Sequence, residues 1–142
     1  MLFRSAVIAA DLNTIGGAWA TYTPTLTGAV TNPTLGTGGS IAGQYLQAGK
    51  FLEVHIQIGF GNTPSAGSGP FSVSLPVAAA ITQVGTANLT HSSAYYHYDA
   101  YLSGSVVQML RGDSTAKIWG SAEPAAPAAG DAMYIHATYR TT

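Results

Sequence analysis

The sequence predicts an all-β domain: an antiparallel β-sandwich, jelly-roll-like in topology, with about eight short strands. Three observations predict this fold. Two segments alternate apolar and polar residues with a period of two, turn-forming residues separate the candidate strands at short intervals, and nothing longer than a turn has helical periodicity. Residues 1–18 are predicted to form an N-terminal arm and residues 19–142 the sandwich domain.

The candidate strands differ in how clearly they alternate. In residues 51–60 (FLEVHIQIGF) every second residue from Leu52 is apolar, which makes this the clearest strand. Residues 71–75 alternate in the same way until Pro76, which has no N–H for a ladder and marks a strand end or an edge. A helical turn is the rival interpretation for residues 78–83, which are rich in alanine. Weaker strand candidates are residues 21–27, 41–47, 84–90, 95–102, 105–110, 116–119 and 132–139.

Turn-forming residues lie between these candidates. Glycine accepts a positive φ, and proline, asparagine and aspartate favour bends. The predicted turns are residues 32–33, 36–39, 61–64, 67–70, 111–113 and 130–131.

Composition excludes several classes of function. Only 8% of the 142 residues are charged and the formal net charge is -1, so the chain lacks the basic surface with which proteins bind nucleic acid or an anionic membrane. No apolar run approaches the roughly 18 residues that a membrane-spanning helix needs. With no cysteine, thiolate metal sites and disulfides are excluded. A surface built from Thr, Ser, Gln and Asn costs little to desolvate, so we expect it to contact another protein or a sugar.

Catalytic and cofactor-binding patterns are absent. The six acidic residues are scattered, and no two lie side by side on one predicted strand face, as paired-carboxylate hydrolysis would require. The four histidines, His55, His91, His97 and His136, lack the close spacing of a zinc motif, although His91 and His97 leave open a convergence with Asp99. The sequence therefore predicts a non-enzymatic protein without a cofactor.

The densest group of polar aromatic residues is the segment 95–101 (YYHYDAY). Alternation places Tyr96, Tyr98 and Leu102 on one face and Tyr95, His97, Asp99 and Tyr101 on the other. Because tyrosine rings stack on sugars and anchor protein interfaces, the second set is our candidate surface for a glycan or a neighbouring subunit. The alternative is that cross-strand tyrosine pairs simply stabilise the sheet.

Several motifs, taken in their order, resemble a known module. They are residues 19–27 (WATYTPTLT), 32–38 (NPTLGTG), 43–45 (GQY), 49–50 (GK), 74–77 (SLPV) and the final strand after residues 130–131 (GD). Together they are similar to the small β-sandwich domains of minor tail proteins, tail fibres and other exterior virion proteins of tailed bacteriophages that infect actinobacteria. The resemblance implies a non-enzymatic virion component on the particle exterior, commonly a homotrimer. Such a component either decorates the particle or binds a glycan of the host cell wall.

The segment before Trp19 differs from the fibre pattern. Only eighteen residues precede Trp19 and they show no heptad, so a capsid decoration or small tail protein is expected rather than a long fibre. Ser5, Ala6, Val7 and Ile8 are the candidate attachment arm, because a short apolar segment can add a strand to a neighbouring virion protein. Two alternatives stay open: the arm covers its own domain, or residues 1–20 are a signal peptide of a secreted carbohydrate-binding domain.

Overall fold

The computed structural model describes residues 17–112 and 117–142, and all regular structure in these ranges is β. The prediction of an antiparallel all-β domain is confirmed. Residues 78–83 form bends and an isolated bridge rather than the rival helical turn. The strands are β1 (Ala20–Tyr22), β2 (Leu26–Gly28), β3 (Ser40–Ala48), β4 (Phe51–Gly59), β5 (Phe71–Ser74), β6 (Gln83–His91), β7 (Ala94–Ser103), β8 (Val106–Arg111), β9 (Lys117–Ile118) and β10 (Ala132–Arg140).

Hydrogen bonds join the ten strands into one antiparallel sheet that curls into a half-barrel. The strand order is β1-β3-β4-β10-β6-β7-β8-β5-β2, and β9 pairs with β8 off this path. A sandwich has two sheets, whereas this ladder is continuous, and its order does not clearly match a jelly roll. The last strand, β10, lies between β4 and β6 in the middle of the sheet, so side chains of neighbouring strands flank its own on both sides.

The curl brings the two edges of the sheet together. Strand β1 is at one end of the order and β2 at the other, yet only residues 23–25 separate them, a span of at most about 14 Å. The Thr25 N–H donates to Ser74 Oγ (2.8 Å), and the Ser74 N–H donates to the Thr25 carbonyl (3.0 Å). The Tyr22 hydroxyl reaches the Ser74 carbonyl at 3.3 Å. The predicted strand 21–27 is therefore two short strands that connect opposite edges.

The hydrophobic core lies on the inner face of the curled sheet. Alternate residues of β4, β10, β6, β7 and β8 are buried there, as the period of two requires. Trp119 closes the core, with its ring edge-on to Phe71 at 4.9 Å and to Phe60 at 6.3 Å between ring centroids. The largest fully buried side chains also include Tyr139, Leu52, Ile58, Leu89, Leu102, Met109 and Met133.

Two glycine-rich loops pair with each other beside the sheet. Isolated antiparallel bridges join Thr31 to Ser68, Thr34 to Ser65 and Thr37 to Asn62. At Gly61 a Cβ would lie 2.7 Å from the Thr37 carbonyl carbon, so only glycine allows this close backbone approach. The predicted turns at residues 32–33, 36–39, 61–64 and 67–70 thus belong to one irregular ribbon.

The candidate arm residues Ser5, Ala6, Val7 and Ile8 lie outside the described residues, as does Asp113 of the predicted turn at residues 111–113. In the described part of the chain, no helix has the length and apolarity that crossing a bilayer requires.

Candidate functional site

Imidazole, carboxylate, amide and tyrosine side chains lie together on the outer face of the sheet, the side opposite the core. Residues directly opposite one another in an antiparallel ladder point to the same side. The registers therefore place in one row Gln44, His55, His136, Thr86 and Asp99, and in the next row Ala42, Gln57, Tyr134, Asn88 and His97. We call these two rows, together with the same-side neighbours Phe51, Glu53, Val84, Tyr95 and Tyr101, the outer face.

The sequence-predicted residues of β7 lie on this outer face. Tyr95, His97, Asp99 and Tyr101 are exposed, whereas Tyr98, Ala100 and Leu102 are buried, as the alternation indicates. Of the two tyrosines, Tyr95 is the more open, with 76% of its surface exposed against 37% for Tyr101. Exposure makes these four side chains available for contact, and their role in binding a glycan or a subunit stays a prediction.

A shallow groove of about 450 Å³ runs beside His97 and Asp99. Its lining also includes Thr86 and Asn88 on β6, and Arg111 and Gly112 at the end of β8. The Arg111 guanidinium donates to Glu123 Oε1 at 2.9 Å and lies 5.4 Å from the centre of the Tyr96 ring. Because Arg111 is in phase with the buried Val107 and Met109 of β8, its guanidinium lies on the side of the sheet opposite the exposed tyrosines. On the tyrosine side, the groove offers the His97 imidazole and the Asp99 carboxylate.

A second group on the outer face, which the sequence pattern did not predict, consists of Glu53, His55 and His136. His55 on β4 and His136 on β10 are direct partners in the ladder, and Glu53 lies two residues before His55 on the same side. Glu53 Oε1 is 2.9 Å from His55 Nε2 and 3.2 Å from His136 Nε2. The two imidazole rings lie 4.5 Å apart between centroids, and Trp19 stands edge-on to His55 at 5.2 Å. The period-two alternation of β4 predicts that Glu53 and His55 lie on the same side. That His136 lies beside them follows only from the register between β4 and β10.

The charge of Glu53 is stabilised by its two neighbours. The hydrogen bond from His55, and next the one from His136, hold the pKa of the Glu53 carboxyl below its usual range. About half of each imidazole side chain is exposed, so solvent reaches all three groups. Among the residues that the structure describes, these three form the group whose donor atoms are close enough to share one metal ion.

The possible convergence of His91 and His97 with Asp99, which the sequence left open, is wrong as a prediction. His91 lies in phase with the buried Ala87 and Leu89 of β6, whereas His97 is exposed on the outer face. His91 Nδ1 instead lies 2.6 Å from Asp131 Oδ2, which also accepts the Ala128 N–H at 2.8 Å. Because Asp131 is buried, this pair fixes the bend before β10 and has a structural role.

A second groove, of about 340 Å³, adjoins the Glu53, His55 and His136 group. It follows the two rows across β3, β4, β10 and β6. Its polar lining consists of Gln44, Gln57, Thr86, Asn88, Tyr134 and the two histidines. Amide, hydroxyl and imidazole groups thus surround a shallow, solvent-open site.

Comparison of this chain with protein-family models, with curated proteins and with solved structures found no match. The resemblance to phage virion modules therefore rests on the motifs in the sequence. The function of the outer face is inferred from its own chemistry.

Proposed function

We propose that this chain is a non-enzymatic structural module of a bacteriophage virion, displayed on the particle exterior as a capsid decoration or small tail component. It associates with copies of itself, with a trimer as the expected order, and with other virion proteins. The proposal is carried by one observation: exposed apolar side chains are concentrated on the outer face.

Of the eight large apolar side chains that are exposed in the described ranges, five lie on the outer face: Phe51, Val84, Tyr95, Tyr101 and Tyr134. The charged groups on this side of the sheet are few: Glu53, Asp99 and Arg140, which is the ladder partner of Phe51. Interface cores are enriched in aromatic residues and depleted in charge, so this composition favours a protein-binding surface over one adapted only to water. The low overall charge, 8% of residues, favours association in the same way.

The phage part of the proposal rests on the resemblance of the sequence motifs, and these motifs lie at constrained positions of the fold. Residues 19–27 include the short connection between the two sheet edges, and residues 32–38 form half of the irregular ribbon. Gly43 lies directly opposite Tyr22 in the β1–β3 ladder. These positions constrain the backbone, which is a reason for related modules to share them. A jelly-roll-like sandwich stays part of the proposal, supported by the close approach of β1 and β2.

The test of self-association is the oligomeric state in solution. Light scattering and sedimentation of the purified chain should show an oligomer, and Tyr134→Lys should dissociate it because it places a charge in the contact surface. Val30→Lys is the matched control, since Val30 is 79% exposed but lies in the ribbon, away from the outer face. A wild-type chain that stays monomeric at every concentration contradicts the proposal, as does an oligomer that both variants disturb equally.

The test of location is detection of the chain in purified phage particles, with antibody labelling of intact particles to establish exposure. Deletion of residues 1–11 should release the protein if Ser5, Ala6, Val7 and Ile8 attach it. Particles that lack the chain after purification would refute the virion assignment.

A second function, binding of a host cell-wall glycan, is favoured by the groove beside Tyr95, His97, Asp99 and Tyr101. Exposed tyrosines supply stacking surfaces, and Asp99 and the groove residues supply hydrogen bonds. The purified chain should then bind host cells, and soluble cell-wall polysaccharide should compete. Tyr95→Ala with Tyr101→Ala should abolish the binding. Equal binding by this double variant would exclude these tyrosines as the glycan site.

A further inference from the structure

The three side chains of the Glu53, His55 and His136 group project from two interior strands of the sheet. Strand β4 is hydrogen-bonded between β3 and β10, and β10 is hydrogen-bonded between β4 and β6. His55 and His136 are direct ladder partners, so the separation of their Cβ atoms is set by the sheet and not by a loop. Sites on regular elements are held more accurately than sites on loops, which is what a ligand set for a small ion needs.

The donor atoms have the spacing of a metal-ligand set. In a tetrahedral zinc site with bonds of about 2.0–2.1 Å, neighbouring donor atoms lie about 3.3–3.4 Å apart. Glu53 Oε1 lies 2.9 Å and 3.2 Å from the two Nε2 atoms, and all three donors are within 4.8 Å of one another. The two distances from the carboxylate are within about half an ångström of this spacing, and rotation of the exposed side chains brings the two nitrogens, which lie at most 4.8 Å apart, around one ion.

The identity of the donors selects the class of ion. Two imidazole nitrogens with one carboxylate oxygen are typical ligands of zinc, whereas magnesium and calcium prefer oxygen ligands alone. Binding requires each ring to carry its proton on Nδ1, so that the Nε2 lone pair faces the ion. Without metal, the same Nε2 atoms donate N–H bonds to Glu53. An imidazole cannot make this hydrogen bond and bind the ion through Nε2 at the same time, so the two interactions compete.

We propose that Glu53, His55 and His136 form a binding site for a divalent transition-metal ion, with zinc as the best match. The site has three protein ligands and at least one position open to solvent, because each of these side chains is more than a third exposed. The proposal stands on the β4–β10 geometry and is independent of the phage assignment.

Zinc binding is measured by calorimetry on the untagged chain after removal of metal by a chelator. One zinc ion per chain should bind, and His55→Gln and His136→Gln should each weaken binding by at least about 10-fold. His97→Gln is the matched control: it removes an exposed histidine of the same face that lies two strands, or about 10 Å, from β10. It should change the affinity by less than about 2-fold.

Two spectroscopic measurements do not depend on how the histidine variants fold. Cobalt(II) should give the visible absorption of a tetrahedral site with nitrogen and oxygen ligands. Copper(II) should quench the fluorescence of Trp19, which contacts His55, more than that of the buried Trp119, and Trp19→Phe should remove most of the quenching. Absence of saturable zinc binding overturns the proposal. Equal losses in His97→Gln and His55→Gln overturn it as well, since they would show nonspecific coordination by surface histidines.

Discussion

The close contact between Gly43 and Tyr22 should be the most sensitive point of the curled sheet. Gly43 faces the core from β3, directly opposite Tyr22 on β1, and the tyrosine ring covers the space where a side chain would be. The Tyr22 hydroxyl then reaches the Ser74 carbonyl on β5, at the other end of the sheet. Gly43→Ala therefore tests whether this ring holds the two edges together.

The magnitude follows from the geometry. A Cβ on residue 43 would lie 2.7 Å from Tyr22 Cδ1 and from Cζ, and nearer still to Cε1. Carbon atoms pack at about 3.5–4.0 Å, so the ring must move by about 1 Å or more. Overpacking of this kind costs about 1–3 kcal/mol, and the 3.3 Å hydrogen bond to Ser74, already long, contributes about 1 kcal/mol when it is lost. Alanine recovers about 0.5–1 kcal/mol relative to glycine in a strand, which leaves a net loss of about 2 kcal/mol in the free energy of unfolding.

Urea unfolding of Gly43→Ala in wild-type and Tyr22→Ala backgrounds measures the effect. Once the ring is removed, alanine at position 43 should stabilise the strand by about 0.5–1 kcal/mol. The coupling energy should therefore be about 3 kcal/mol, the sum of the overpacking and hydrogen-bond costs. Gly59→Ala is the matched control, since its Cβ would meet only Ser40 Oγ at 3.5 Å. A loss of the same size in both backgrounds would show that the cost comes from elsewhere and would refute the reasoning.

Three further outcomes are expected. Burial raises the pKa of Tyr139 to about 12, so the stability that depends on its neutral phenol is complete below about pH 10 and is lost as the pH rises towards 12. Tyr139→Phe should reduce this loss of stability at alkaline pH. At neutral pH it should lower the free energy of unfolding by about 1–3 kcal/mol, because the Val77 carbonyl loses its 2.8 Å donor. Urea unfolding across pH 7–12 measures both effects. Because the pKa of the Glu53 carboxyl is lowered in the folded chain, its charged form contributes stability above the ordinary carboxyl pKa, and this stability is lost as the pH falls through the folded pKa. Glu53→Gln should remove this pH-dependent part of the stability. An NMR titration of Glu53 checks that its pKa is lowered. Trp119→Ala should lower the free energy of unfolding by about 3–5 kcal/mol in urea, because removing the ring leaves a cavity between Phe71 and Phe60.

Local patterns in the sequence predicted the elements well, because each strand buries one side. Leu52, Val54 and Ile56 alternate with polar residues in β4, and the structure buries all three. The same rule separated Tyr95 and Tyr101 from the buried side of β7. Such patterns depend only on neighbours along the chain, so a single sequence contains them.

The arrangement of the strands was not predictable in the same way. Pairing partners are set by packing between distant segments, and the alternation of β10 is equally satisfied beside any strand with a buried face. The predicted strand 21–27 illustrates this limit: its composition favours one extended strand, but its two ends pair with β3 and β5 at opposite edges. The bend between them at residues 23–25 serves the closure of the whole sheet.

Both proposals depend on β10, and its alternation makes them separable. Tyr134 and His136 point to the same outer face but belong to different rows: Tyr134 pairs with Gln57 and Asn88, and His136 pairs with His55 and Thr86. Tyr134→Lys therefore changes the apolar contact surface while keeping the three metal-ligand candidates, and His136→Gln removes a ligand while keeping the exposed tyrosines. A chain that loses zinc but keeps its oligomeric state in His136→Gln, and does the reverse in Tyr134→Lys, has two independent functions on one face. If both variants lose both properties, the metal site and the self-association surface are one site, and the ion's open position is filled by a second copy of the chain.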